Sequence, residues 1–384
     1  MNQKVRVGII GCGKIALNHA KALLANDNVE LLGCADVDGT RAAEFAARFG
    51  IPNAYGNAAE LMRSGIDTVT VCTPHPTHEA TVVEAARHGL NVLCEKPISI
   101  SLAEADRMID AAESAGVTFG VLFQRRFWEA SRRAHQAVRN GRIGTPVFAS
   151  VALRLGRDAA YFNSDPWRGT WDAEGGGVLI NQAIHYIDLM QWCVGSPVVR
   201  ISGSIATLKH GDHIEVEDTA VATLEFANGA LGVIQAGTTF APGLGTQVLV
   251  TGDNGATVGI TEFPEGEPAF NDIWTVAGEE SYRSVHSTEI DSDPPLATIH
   301  EGLTPYHALQ IDDFIDAVVH GREPLVTGRE ARKALEIVLA IYESARTGRP
   351  VPLAAPEPAS GPFAEVRAVA QPTTGARAAE TSHR

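Results

Sequence analysis

The chain has 384 residues, 45% hydrophobic and 20% charged, a globular composition that excludes wholesale disorder. Lys and Arg number 31 against 46 Asp and Glu, so the formal net charge is −15, which argues against a nucleic-acid or anionic-membrane surface and leaves small molecules as the expected partners. A single core rarely grows beyond about 250–300 residues, so two domains are expected. The five cysteines (Cys12, Cys34, Cys72, Cys94, Cys193) lie in apolar or Gly-rich runs with no C-x-x-C pair and no His at metal-ligand spacing. They read as buried thiols of a reducing compartment and predict no metal site. Met1-Asn2-Gln3-Lys4 runs directly into a strand-like segment, and no run of about 18 apolar residues occurs, so the expectation is a cytoplasmic protein with no membrane partner.

Residues 1–122 alternate strand-like and helix-like patterns. Strands are expected at 5–10, 29–35, 66–72, 91–94 and 118–122, with helices at 14–25, 39–49, 57–64, 77–88 and 102–115. Near-continuous apolar strands separated by helices predict a doubly wound parallel sheet covered on both faces, an α/β domain. From residue 123 to 353 the texture changes. A helix at 129–140 precedes strands at 146–155, 198–208, 216–226, 231–237 and 247–251, a helical stripe at 176–192, and helices at 306–320 and 330–346. Asn228-Gly229 is a hairpin signal, and tight turns between neighbouring strands predict an antiparallel sheet and so an α+β domain. Residues 354–384 are Ala/Pro-rich without periodicity and read as a disordered tail.

Gly11-Cys12-Gly13-Lys14-Ile15-Ala16 is a G-x-G-x-x-A between a strand and a helix. Gly11 permits the tight turn, Gly13 lets backbone approach a pyrophosphate, and Ala16 lets helix pack on strand, while the helix N-terminus offers unpaired N–H groups. Asp36 ends the second strand 25 residues after Gly11. A carboxylate there accepts both adenosine ribose hydroxyls and repels a 2′-phosphate, which favours NAD; Arg41 leaves NADP possible.

Two further segments fall at carboxyl ends of strands, where ligands bind in this architecture. They are Thr73-Pro74-His75-Pro76-Thr77-His78 and Cys94-Glu95-Lys96-Pro97. With Trp167-Arg168-Gly169 and Gly175-Gly176-Gly177-x-x-x-Asn181-x-x-x-His185-x-x-Asp188, the chain resembles the Gfo/Idh/MocA family (glucose–fructose oxidoreductase, inositol dehydrogenase, rhizopine catabolism) over about residues 4–353. The resemblance implies an α/β Rossmann domain followed by an α+β domain with an open, largely antiparallel sheet, NAD(P)-dependent oxidation or reduction of a secondary alcohol on a sugar or cyclitol, and a homo-oligomer, dimer or tetramer, formed through the open sheet. It maps the family's catalytic Lys onto Lys96 and its His onto His185. The family's frequent Asp falls on Asn181, which cannot take a proton and is left to orient substrate. The same mapping sets Glu95 and the turn Thr73, Pro74, His75 and His78 beside the cofactor, with Trp167 and Arg168 near the nicotinamide.

Hydride loss from a carbinol carbon requires a base within reach of its hydroxyl. Lys96, buried beside other cations, can fall in pKa and accept that proton, or hold the oxyanion while His185 accepts it. Asn181 and His185, four apart, share a helical face; Asp188 is placed to fix the imidazole tautomer, and the glycine triplet to let the helix end approach a ligand. Trp167, Arg168, Asn181, His185 and Tyr306 form a polar, aromatic set suited to hydroxyl recognition. Gln124, Arg125 and Arg126 face the domain junction. Gln124 is taken as a cofactor contact, and Arg126 as a substrate contact with an interdomain ion pair as the alternative. His19 and His88 read as helix surface. The N-Q-x-x-H form of the motif, with Trp167-Arg168-Gly169 upstream, resembles the branch of that family acting on sugars at C-3, which implies a dehydrogenase of C-3 on a pyranoside. An inositol dehydrogenase is the alternative, and a non-catalytic nucleotide- or sugar-sensing regulator the alternative of another class.

Overall fold

The computed structural model describes residues 4–284 and 294–353; the expected tail at 354–384 lies outside the described residues. The first sheet is parallel and has six strands: β1 (Val5–Ile10), β2 (Val29–Ala35), β3 (Asn53–Tyr55), β4 (Thr68–Val71), β5 (Asn91–Cys94) and β6 (Phe119–Val121). Their order is β3-β2-β1-β4-β5-β6, so the direction of winding reverses between β1 and β4. Strands β1, β4 and β5 are buried almost throughout, because α1 (Ala16–Ala25), α2 (Gly39–Phe49), α3 (Ala58–Met62), α4 (His78–Arg87) and α5 (Leu102–Ala115) cover both faces. Local chemistry sets the helix ends. Asp38 accepts the amides of Thr40 and Arg41 to start α2, and Ser101 accepts that of Glu104 to start α5.

After α6 (Glu129–Arg139) the chain enters a nine-stranded mixed sheet. Its strands are β7 (Pro146–Arg154), β8 (Val198–Ala206), β9 (Thr219–Phe226), β10 (Leu231–Gly237), β11 (Gly245–Gly252), β12 (Thr257–Glu262), β13 (Ile273–Trp274), β14 (Ser281–Tyr282) and β15 (Val351–Pro352). The order is β14-β13-β12-β11-β7-β10-β9-β8-β15. The hairpin at Asn228-Gly229 joins β9 to β10 as expected. One pair departs from the antiparallel reading: β7 and β10 are parallel, joined by a long connection through α8 and two further strands rather than by a hairpin. Strands β3 and β12–β15 were not foreseen; four of the five have three residues or fewer. Residues along β9 and β10 alternate buried and exposed, so one face is covered and the other open.

The short α7 (Ala159–Phe162) lies in the segment leading to α8 (Ile184–Val194), which is preceded by a π-helical turn at Leu179–Ala183. Helix α8 packs between the second sheet and α10 (Gly328–Thr347). Helix α9 (Leu296–His320) begins ten residues before the expected start, with Pro305 inside it rather than at its boundary. Its Ile311, Phe314 and Ile315 enter the core around β1 and β2, and Asn18 of α1 donates to His300 O at 3.3 Å. All five cysteines are buried free thiols. Among the described residues no helix is long and apolar enough to cross a membrane.

Candidate functional site

The carboxyl ends of β1, β2, β4, β5 and β6 open onto a cavity of about 710 Å³. The turn after β1 forms one wall. Gly11 has φ +90°, and a Cβ there would sit 2.7 Å from the carbonyl oxygen of Cys72, so only glycine fits. A Cβ at Gly13 would meet nothing within 4 Å, leaving room for a ligand against the backbone. No side chain caps the start of α1, whose Leu17 and Asn18 amides donate to Lys14 O at 3.3 Å and Ile15 O at 3.0 Å, so an anion there would be met by the amides of the glycine turn ahead of them. Asp36 is buried, its two oxygens accepting the Cys12 amide at 2.9 Å and the Asp38 amide at 2.9 Å. Arg41 reaches the same carboxylate at 3.5 Å. This donor set fits a dinucleotide: a bare glycine turn and uncapped helix for the pyrophosphate, and a fixed carboxylate for the ribose.

The end of β5 supplies Glu95 and Lys96. Glu95 is buried; His19 Nε2 lies 3.0 Å from its Oε1 and His307 Nε2 3.8 Å away. Burial alone would raise its carboxyl, but the His19 hydrogen bond and the His19, His307 and Lys96 charges outweigh it and hold it at about 2. Lys96 is half-buried, and its Nζ donates to Asn181 O at 2.9 Å and Asn181 Oδ1 at 3.3 Å. Burial, then the cationic Arg125 and Arg168, lower its ammonium to about 8 against the pull of Glu95 and Glu174.

The opposite wall comes from residues 157–185. Asn181 lies in the π turn and His185 in the first turn of α8, and both line the cavity with Lys96. His185 is buried, packs edge-on against Phe123, and has no hydrogen-bond partner for Nδ1. Burial, reinforced by Arg125, Lys96 and His307, holds its imidazole neutral, well below the usual range. Trp167 lies edge-on to His75 at 5.3 Å, and His75 faces Glu174 O at 2.9 Å; burial pushes His75 down to about 3. Lys14 of the glycine turn spans to Asp165 at 3.0 Å, and Asp165 also accepts from Arg168 at 3.3 Å.

Gly11, Gly13, Lys14, Ile15, Asp36, Thr73, Pro74, His75, Glu95, Gln124, Trp167 and Arg168 thus line the cavity that Lys96, Asn181 and His185 enter. Four expected contacts are elsewhere. Arg126 is buried in an ion-pair cluster, bonded to Asp188 at 2.6 and 2.7 Å and to Glu330 at 3.2 Å, and does not reach the cavity. Asp188 is occupied by that guanidinium, so it does not orient His185. Tyr306 packs edge-on against Trp128, and its neighbour His307 takes the cavity-lining position. His78 sits behind the wall, its ring nitrogens facing Pro97 O at 3.0 Å and Thr73 O at 2.9 Å, where it ties two loops together. Cys12 turns its thiol toward Ala35 O at 3.7 Å, beneath the turn.

The glycine triplet approaches protein rather than ligand. A side chain at Gly176 would collide with the Tyr342 hydroxyl, and one at Gly177 with the Glu217 backbone. Glu217 accepts the amides of Gly177 at 2.8 Å and Leu179 at 2.9 Å, which fixes the start of the helical segment. His19, read as surface, is fully buried against Glu95. Glu174 was not foreseen either; its position directly before the triplet was the available signal.

Residues 5–123 match the model of an oxidoreductase family with an NAD-binding Rossmann fold, and residues 131–258 match the GFO/IDH/MocA C-terminal domain. The crystal structure of the WlbA dehydrogenase from Bordetella pertussis, in complex with NADH and UDP-GlcNAcA, is 30% identical. It covers 93% of this chain and 99% of its own, with a TM-score of 0.79. Myo-inositol 2-dehydrogenase of Thermotoga maritima is 29% identical over 91% of this chain and 98% of its own length. D-apiose dehydrogenase of Paraburkholderia graminis is 29% identical over 97% and 95%. With the glycine turn, the fixed Asp36 and the lysine-bearing cavity, these matches identify the chain as a member of the Gfo/Idh/MocA oxidoreductase family, an NAD(P)-dependent sugar or polyol dehydrogenase acting on CH–OH.

Proposed function

We propose that the enzyme oxidises a secondary ring hydroxyl of a sugar, at C-3 of a pyranoside, with NAD as hydride acceptor and Lys96 and His185 as the acid/base pair. The observation that carries this reading is the convergence of Lys96, Asn181 and His185 on the cavity that begins at the glycine turn. Bound NAD supplies a hydride acceptor at its nicotinamide. Lys96, with an ammonium near 8, has a neutral fraction at physiological pH that takes the hydroxyl proton. The resulting ammonium is held by the two Asn181 oxygens. His185, kept neutral, bonds the same hydroxyl; protonating it beside Lys96 and Arg125 is costly, which makes it the weaker base of the pair. Asn181-Gln182-x-x-His185 and the UDP-GlcNAcA found in the Bordetella relative support a pyranoside. The inositol dehydrogenase of Thermotoga, matched over nearly its whole length, keeps a cyclitol as the second reading.

A panel of glucosides, nucleotide sugars and inositols, followed by reduced-nicotinamide absorbance, identifies the substrate class. A pyranoside carrying deuterium at C-3 should then deliver that deuterium to the nicotinamide. Turnover that leaves the label in the sugar, or turnover of inositols alone, overturns the C-3 assignment.

A further inference from the structure

Asn181 lies between a cation and a carboxylate. On one side its carbonyl and Oδ1 accept from Lys96 Nζ at 2.9 and 3.3 Å. On the other side its Nδ2 is hydrogen-bonded to Glu174 Oε1. Glu174 is 3% exposed, and its second oxygen accepts the Gly169 amide at 2.5 Å, so the carboxylate is anchored and cannot swing away. An ionised carboxylate only accepts hydrogen bonds. The Asn181 amide must therefore turn its N–H2 toward Glu174, which leaves Oδ1 for Lys96. An amide at position 181 has no charge of its own to balance the ammonium; the nearby carboxylate does.

We propose that Glu174 is a positioning residue for Lys96 that acts through Asn181, orienting the amide so that Oδ1 faces Nζ and setting a negative charge one side chain behind the reacting ammonium. This rests on the reading of Lys96 as the acid/base group. The groups facing Lys96 are Glu95 beside it after β5, Arg125 and Arg168, the imidazoles of His75, His185 and His300, and Glu174. Glu174 in turn faces Arg168 and Tyr161 as well as Lys96. Of the two carboxylates near Nζ, Glu95 is hydrogen-bonded to His19, whereas Glu174 is bonded to the residue that holds Nζ. Removing the Glu174 charge leaves the cations less opposed, so the ammonium becomes more acidic and the rising, acid-side limb of the pH profile for alcohol oxidation moves to lower pH.

The test is trace acetylation of the full chain by acetic anhydride across pH, with Lys96 and Lys14 modification read by peptide mass spectrometry. Only the free amine reacts, so the midpoint reports the Lys96 ammonium with no substrate present. Wild type should give a midpoint near about 8. Glu174→Gln, which keeps the shape and the Gly169 contact, should lower it by about one unit while Lys14 is unmoved. Glu174→Gln combined with Asn181→Asp, which returns a carboxylate one residue nearer, should bring it back. An unmoved midpoint in Glu174→Gln, or a double variant that stays with the single one, overturns the proposal. If Glu174→Gln fails to fold, Glu174→Asp decides: its shortened carboxylate should give a smaller fall, and no fall is a refutation. Turnover of Lys96→Ala tests the reaction reading separately, so failure of one is told apart from failure of the other.

Discussion

Two cations, Arg126 buried and Lys96 half-buried, lie near the start of α8 and meet opposite fates. Arg126 has one carboxylate gripping it at two points, Asp188, and a second, Glu330, alongside. Lys96 Nζ has, among the described residues, only the two Asn181 oxygens as hydrogen-bond partners. The first cluster is closed: four hydrogen bonds to two carboxylates oppose the charge, and Arg126 does not line the cavity. The second is under-compensated; burial and the neighbouring guanidinium groups of Arg125 and Arg168 press the ammonium toward neutrality. Cation type matters as well, because a guanidinium stays charged where an ammonium can give up its proton. What sets the two environments apart is the missing direct carboxylate at Lys96, since both side chains sit at the carboxyl ends of the first sheet; on the proposed reading, that absence is what lets the ammonium give up its proton.

The largest break in that comparison is at Lys96. Lys96→Ala should lower kcat by about 10³-fold, within the range expected for losing a positioned acid/base group, with NADH affinity held within about two-fold. Stopped-flow turnover and NADH fluorescence titration check both halves, and a variant with near wild-type kcat would remove Lys96 from the chemistry. The mirror experiment is Arg126→Ala. It strands Asp188 in the core, so stability should drop by about 3–5 kcal/mol in a denaturant titration. Lys96→Met should cost far less, because burying its ammonium is already unfavourable. The folded-state value lies below 10.5, so this unfavourable contribution is fully present below about 8 and disappears above the unfolded value.

Asp36 sharpens the comparison from the cofactor side. Its carboxylate is held by backbone amides rather than by a full ion pair, so it too keeps capacity for a ligand. Asp36→Ala should weaken NAD by about 1.5–3 kcal/mol, roughly ten- to a hundred-fold, and narrow the gap to NADP, with Arg41 then free of its partner. Titration with both cofactors measures this; an unchanged NAD affinity would place the ribose elsewhere. Wild-type kcat/KM for alcohol oxidation should climb with pH and level off above about 8, since protonated Lys96 cannot accept the hydroxyl proton. A profile flat from pH 6 to pH 9, about a thousand-fold span in proton activity, would mean another group takes it.

The glycine turn, Asp36 and the first sheet were readable because each depends on a short stretch of backbone. Gly11 needs φ +90° next to Cys72, and an apolar strand delivers the turn to that place. The partners of Arg126 were not readable. Glu330 is 204 positions away and Asp188 is 62, and no local pattern says which of two adjacent arginines turns toward them. Glu174 went unnoticed for the same reason: its hydrogen bond to Asn181 exists only once the π turn brings Asn181 between it and Lys96. The glycine triplet was seen but misassigned, because the same freedom that admits a ligand also admits Tyr342 and the Glu217 backbone. His19 lay on a helix with mixed polarity, and only the packing of α9 against α1 encloses it.

The smallest expected effect is at Tyr306, and it separates aromatic character from placement. An aromatic residue with a polar tip suits sugar recognition, which is why the sequence nominated it. Its ring instead stands edge-on to Trp128 with 6.0 Å between centroids, and His307, one residue later on α9, faces the cavity. Tyr306→Phe keeps the ring and deletes only the hydroxyl, so KM for the substrate should change by less than about 0.5 kcal/mol, near two-fold. His307→Phe, in contrast, removes a ring nitrogen from beside Glu95 and should disturb the Lys96 loop, with a shifted pH profile as its signature. Equal effects of the two variants would mean that α9 presents the other face to the substrate, and the cavity wall would have to be redrawn one residue around the helix.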